Sequence, residues 1–208
     1  MDSVSFFSGK LMSISVNRFL IYLSGFAILS LYFLLTIFLL PSEFLMTEQL
    51  VPEPYFQAVL SDSQITLTDS FRLEIVSGNN GDYADIHIVS VAFPDLLEID
   101  DVVKIATYDF TLSPSYISTG DKIGSKYSGG VETTFAQSPS IESMSRPLKS
   151  NIETHFDIII TPKKSGIFNI YVKSIGIPHT SNVSHYPYSG LLDHQNEYVS
   201  VYSVTVNP

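Results

Sequence analysis

FLIYLSGFAILSLYFLLTIFLL, Phe19 to Leu40, contains no charged residue. At a helical rise of ~1.5 Å per residue, a run of this length matches the ~30 Å hydrocarbon core of a bilayer. The stretch therefore predicts one transmembrane helix, and it divides the chain into a short tail and a long polar block. Lys10 and Arg18 lie before the run, whereas the first basic residue after it is Arg72. Glu43, Glu48, Glu53, Asp62 and Asp69 fill the interval. By the positive-inside rule residues 1–18 form a cytoplasmic tail and residues 41–208 lie outside the cell membrane. A cleaved signal peptide would have an apolar region of only about 7–15 residues and a small-x-small cleavage site. Here the run is longer and closes with Leu39, Leu40, Pro41, Ser42 and Glu43, which favours an uncleaved signal anchor.

Beyond Leu40 the remaining 168 residues are enough for a domain with its own core. Setting aside Asp2, Lys10 and Arg18 leaves 20 acidic against 9 basic side chains in that part. An excess of this sign repels phosphate backbones, so nucleic acid is not an expected partner. The chain has no cysteine. That excludes disulfides, blue-copper and iron–sulfur centres, thiolate zinc sites and thiol catalysis.

Residues 41–54, PSEFLMTEQLVPEP, carry three prolines and three glutamates and read as a short stalk. From Tyr55 onward the period becomes two. Phe71, Leu73 and Ile75 alternate with Arg72, Glu74 and Val76. The turn residues Gly78 to Asp82 follow, then YADIHIVSVAF, 83–93, and the pattern predicts a hairpin. One more strand is expected within 96–110. Residues 111–150, rich in Ser, Gly and Pro, read as an insertion holding a wide hairpin around Val131 to Ala136. In NIETHFDIIITP, Ile152, Thr154, Phe156, Ile158 and Ile160 share a face, with Glu153, His155 and Asp157 opposite. IFNIYVKSI and EYVSVYSVTV supply the last strong strands. Seven to nine short strands without a further helical period predict an all-β ectodomain at 55–208, an immunoglobulin-like antiparallel β-sandwich behind one N-terminal transmembrane helix.

The segment DSFRLEIVSGNNGDYADIHIVSVAFP, 69–94, resembles the opening of CARDB-type immunoglobulin-like repeats of prokaryotic surface proteins. Thr68 to Phe71 form the lead-in and Asn80, Gly81 and Asp82 the turn; TPKKSGIFNIYVKS, 161–174, looks like a later strand pair of the same sandwich. The combination of one anchor and one acidic, cysteine-free sandwich looks like archaeal envelope proteins. The resemblance implies adhesion or assembly, and no functional residue transfers with it.

Candidate chemistry centres on the loop 177–196. His179, His185 and His194 are three imidazoles within sixteen residues, able in principle to close on zinc or copper, although their spacing matches no ligand motif. Tyr186, Tyr188 and Asp193 make the same loop the expected interaction surface. Asn182-Val-Ser184 is an N-glycosylation sequon within it. Glu98, Asp100 and Asp101, or Asn79, Asp82 and Asp85, offer oxygen ligands for calcium, without EF-hand spacing. His87 reads as a sheet-surface residue, and His155 as part of a solvated charge row. The common hydrolase, metalloprotease and phosphate-loop signatures are missing, so no enzymatic activity and no cofactor are expected. The expectation is a membrane-anchored binding or assembly module whose partners are envelope or membrane-complex proteins. Rival readings are an accessory subunit that uses Ser24, Gly25 and Ser30 for helix packing, a metal-handling domain, and a pilin-like subunit.

Overall fold

The computed structural model describes residues 16–44, 50–99, 101–123, 134–178, 183–187, 189–193 and 197–208. The chain divides into two compact units, 1–48 and 49–208. The first contains α1, Val16–Phe44. Its segment Arg18–Thr36 is long and apolar enough to cross a membrane. The hydroxyls of Ser24 and Thr36 donate back to the carbonyls of Ile21 and Tyr32, so both are satisfied within the helix. The helix runs through Pro41, past the boundary that the proline suggests. A proline lacks the N–H and crowds the carbonyl four residues before it, so this last turn forms against the local preference of Pro41.

The second unit contains thirteen strands among the described residues: β1 Pro54–Leu60, β2 Gln64–Thr66, β3 Phe71–Asn79, β4 Ile86–Ala92, β5 Val103–Tyr108, β6 Ser115–Ile117, β7 Lys122–Ile123, β8 Thr134–Phe135, β9 Ser140–Ser145, β10 Glu153–Ile160, β11 Gly166–Ile177, β12 Leu191–Leu192 and β13 Tyr198–Asn207. Several span only two or three residues, which is why the sequence suggests fewer. One sheet has the order β1-β3-β10-β5, and the other β12-β13-β11-β4-β9-β6 with β2 parallel to β13. β7 and β8 form a separate small ribbon. This is the immunoglobulin-like arrangement, with β1, β3, β10 and β5 in one sheet and β4, β11 and β13 in the other, where β9 adds to β4.

The predicted hairpin of 71–76 with 83–93 does not form. β3 pairs with β1 and β10, and β4 pairs with β11 and β9, so the 80–85 turn carries the chain from one sheet to the other. β3 presents one apolar face and β4 is buried on both sides, and such faces bury more area across a sandwich than side by side in a ribbon. The 111–150 segment is likewise more than an insertion. It supplies β9, which lies beside β4 and buries Ile141, Ser143 and Met144. The expected wide hairpin survives as the β7–β8 pair.

The core combines Phe71, Leu73 and Ile75 with Phe156, Ile158 and Ile160 from the first sheet. Val89, Val91, Ile141, Phe168, Ile170, Val172, Val204 and Val206 face them from the second. Ile152 precedes β10 and is exposed, unlike its expected face-mates. Toward the other end of the sandwich the interior turns polar: Ser77, Asn79, His87, Ser145, Thr154 and Ser174 are all buried. His87 is thus an interior residue and not a surface one. Its Nε2 lies 3.1 Å from Ser77 Oγ and 2.9 Å from Ser174 Oγ, and its ring stacks on Phe110.

Residues 50–54, expected to be stalk, are part of the sandwich. Asp82 N donates to Val51 O, Asn80 N to Glu53 O, and Val51 N to Asp82 Oδ2. The buried Asn79 amide accepts from Glu53 N and donates to Asp82 O. Pro52 and Pro54 are buried, which is how an apolar ring without an N–H fits a docked, non-central segment.

Candidate binding cleft

The two outer faces of the sandwich differ. On the first sheet, Arg72 pairs with Asp157 at 2.6 Å and with Glu74 at 3.4 Å, while His155 and Glu153 stand in solvent. That face is the solvated charge row which alternation predicts. The outer face of the second sheet is built from smaller and more apolar side chains: Ala92 on β4, Tyr171 on β11 and Val199 on β13, with Ser90 and Glu142 beside them.

Two excursions rise on either side of this face. One is the segment that contains the β7–β8 ribbon, which contributes Ile123, Ala136, Gln137 and Ser138; the other contributes Asp193. Between them lies a cleft of about 340 Å³. Its floor mixes a phenol ring and aliphatic side chains with a few convergent polar groups, the usual composition of a ligand site.

At the rim, Lys173 of β11 sits between two carboxylates. Its Nζ is 3.4 Å from Asp193 Oδ2 and hydrogen-bonded to Glu197 Oε2. The three side chains are only 16%, 11% and 20% exposed. Glu197 N donates to Asp193 Oδ1 at 3.0 Å, and Tyr186 Oη donates to Glu197 Oε1 at 2.8 Å. Burial raises the pKa of the Tyr186 phenol, and the neighbouring Glu197 and Asp193 carboxylates add to the rise, so it acts here as a donor.

Of the residues singled out in the loop, the structure brings together Tyr186 and Asp193. His185 is nearby in sequence, but its backbone is committed to Gly176 of β11 in both directions, at 2.8 and 3.0 Å. His179, Asn182, Tyr188 and His194 lie outside the described residues. Among the described residues no three His, Asp or Glu side chains gather as metal ligands. Asn79 and Asp82 serve the 79–82 turn, and Asp101 pairs with Lys163. Lys173, Tyr171 and Glu142 are the site residues that sequence reasoning missed. The outward register of Tyr171 and Lys173 on β11 was legible; that β9 would place Glu142 beside them was not.

No family model matches the sequence, and no curated protein does. Among solved structures, the crystal structure of the CARDB domain of the PF1109 protein from Pyrococcus furiosus, in complex with di-metal ions, is 12% identical, with a TM-score of 0.38. The alignment covers 75% of this chain and 94% of that one. The sandwich resembles a CARDB domain. The solution structure of the same domain gives 12% identity, a TM-score of 0.33 and coverage of 76% and 98%. A β-glucosidase from Listeria innocua in complex with glucose is 15% identical at a TM-score of 0.36; the match spans 76% of this chain but only 16% of that enzyme. These likenesses concern the course of the backbone and transfer no residue or activity.

Proposed function

We propose that the protein is a membrane-anchored extracytoplasmic binding module, non-catalytic, which recognises an envelope or membrane-complex partner through the outer face of its second sheet. The observation that carries this reading is the cleft itself. One sheet presents a solvated charge row, whereas the other keeps a mixed apolar and polar depression between two excursions, on a rigid strand floor. The anchor rests on the uncharged run 19–40 within α1, and the orientation on Lys10 and Arg18 at its tail side.

The test is mass spectrometry of the intact protein gently extracted from its own membranes, comparing wild type with Tyr171→Ala. Tyr171 is 36% exposed on the outer face, so its truncation spares the core. A stoichiometric companion present with wild type and lost with Tyr171→Ala is the expected result. A companion retained by Tyr171→Ala places the contact elsewhere, on the helix or another surface. A chain without any companion or ligand refutes the cleft as a recognition site.

A further inference from the structure

The cluster of Lys173, Asp193 and Glu197 contains more than an ion pair requires. A primary amine lies against one carboxyl group, Asp193, whose far oxygen Oδ1 accepts a backbone N–H from Glu197. A second carboxylate, Glu197, holds the same amine and is itself oriented by Tyr186. All three groups are largely withdrawn from water. A nucleophile, a polarised acyl centre with an oxyanion donor, and a proton relay are thus assembled in one place.

We propose that Lys173 and Asp193 become joined by an amide bond between Nζ and Cγ, formed by the protein on itself. In this step Glu197, hydrogen-bonded to the Lys173 ammonium, takes a proton from it and passes it to Asp193. The Nζ lone pair then adds to Cγ, and the oxyanion on Oδ1 meets the Glu197 N–H. Oδ2 leaves as water, carrying two of the three ammonium protons. The third stays on the amide nitrogen, one positive and one negative charge disappear, and Glu197 ends as it began. No oxidant, metal or co-reactant is consumed. Fixed neighbours of this kind react at effective concentrations of ~10⁵ M or more, which drives condensation where free amine and acid in water would not condense. The link would tie β11 to the segment leading into β13, and so fix one wall of the cleft in a chain that has no cysteine to do so.

The sequence provides a clean test, because no Lys or Arg follows Lys173. The full-length protein is purified from its own membranes, unfolded and digested with trypsin, alongside Glu197→Gln from the same host. The variant keeps a side chain that can bond Tyr186 but lacks a carboxylate relay, and any modification at Asn182 is common to both samples. In the wild type, cleavage after Lys173 is expected to fail, leaving one peptide over 165–208 lighter than the sequence by one water. Glu197→Gln is expected to yield separate 165–173 and 174–208 peptides. Recovery of those two peptides from wild type, at full mass, overturns the proposal and leaves an ordinary ion-pair cluster.

Discussion

His87 bridges the two sheets from inside. Burial pushes its pKa down from 6.5 to about 4, and among the described residues no carboxylate offsets the lost hydration. Its hydrogen-bonding neighbours are the hydroxyls of Ser77 on β3 and Ser174 on β11, with Phe110 stacked on the ring. The folded state therefore binds the proton less readily than the unfolded one. The stabilisation from the neutral ring is complete above about pH 6.5 and is lost as pH falls toward 4, by on the order of 3 kcal/mol. Urea unfolding of the detergent-solubilised chain at pH 7 and pH 4.5 should show this loss, and His87→Gln should flatten it. Equal pH dependence in the variant would place the effect in other groups. Asp69, whose pKa is lowered by its bonds to Thr66, adds losses only at more acid pH. The position of His87 was not readable from its neighbours Ile86 and Ile88. In β4 residues 87–91 are all buried, so period-two alternation carries no information about which face looks inward.

At the scale of elements, the docking of residues 50–54 on the 79–82 turn depends on close backbone approach. A Cβ at Gly81 would lie 2.4 Å from Val51 O and 2.6 Å from Glu53 N. Neither atom can move without breaking the ladder, so Gly81→Ala should destabilise the sandwich by about 2 kcal/mol and expose 50–54 to protease. An unchanged unfolding midpoint and cleavage pattern would contradict the clasp. The Asn-Gly-Asp turn was legible as a turn from composition; its role as a dock for the incoming chain required the fold. Phe156, fully buried at the centre of β10 with Tyr108 and Phe110 edge-on to it, illustrates the opposite case. Its alternation with Asp157 placed it in the core from sequence alone. Phe156→Ala should cost about 3–5 kcal/mol by denaturant unfolding, against under about 0.5 kcal/mol for His155→Ala on the exposed face of the same strand.

For the molecule as a whole, the proposal of an anchored module makes two expectations testable together. Alkaline carbonate extraction should leave the full chain in the membrane pellet. Protease added to intact cells should reach a C-terminal tag and not an N-terminal one. Release by carbonate would remove the anchor, and reversed accessibility would invert the orientation argued from Lys10 and Arg18. What the sequence by itself determined follows from interactions that are local or merely compositional. The apolar helix α1 rests on the long uncharged run 19–40, the strands on period-two alternation, and the cysteine-free, acidic character on simple counting. Only the tertiary structure decided which strand lies beside which. It separated the 71–93 strands into opposite sheets, drew β9 out of a Ser- and Pro-rich stretch to the side of β4, and set Lys173 against Asp193 and Glu197. The physical reason is that a strand's pattern specifies a face to bury but not the partner that buries it. That choice belongs to long-range packing, where two apolar faces from distant parts of the chain meet and the remaining polar groups are left to pair on the outside.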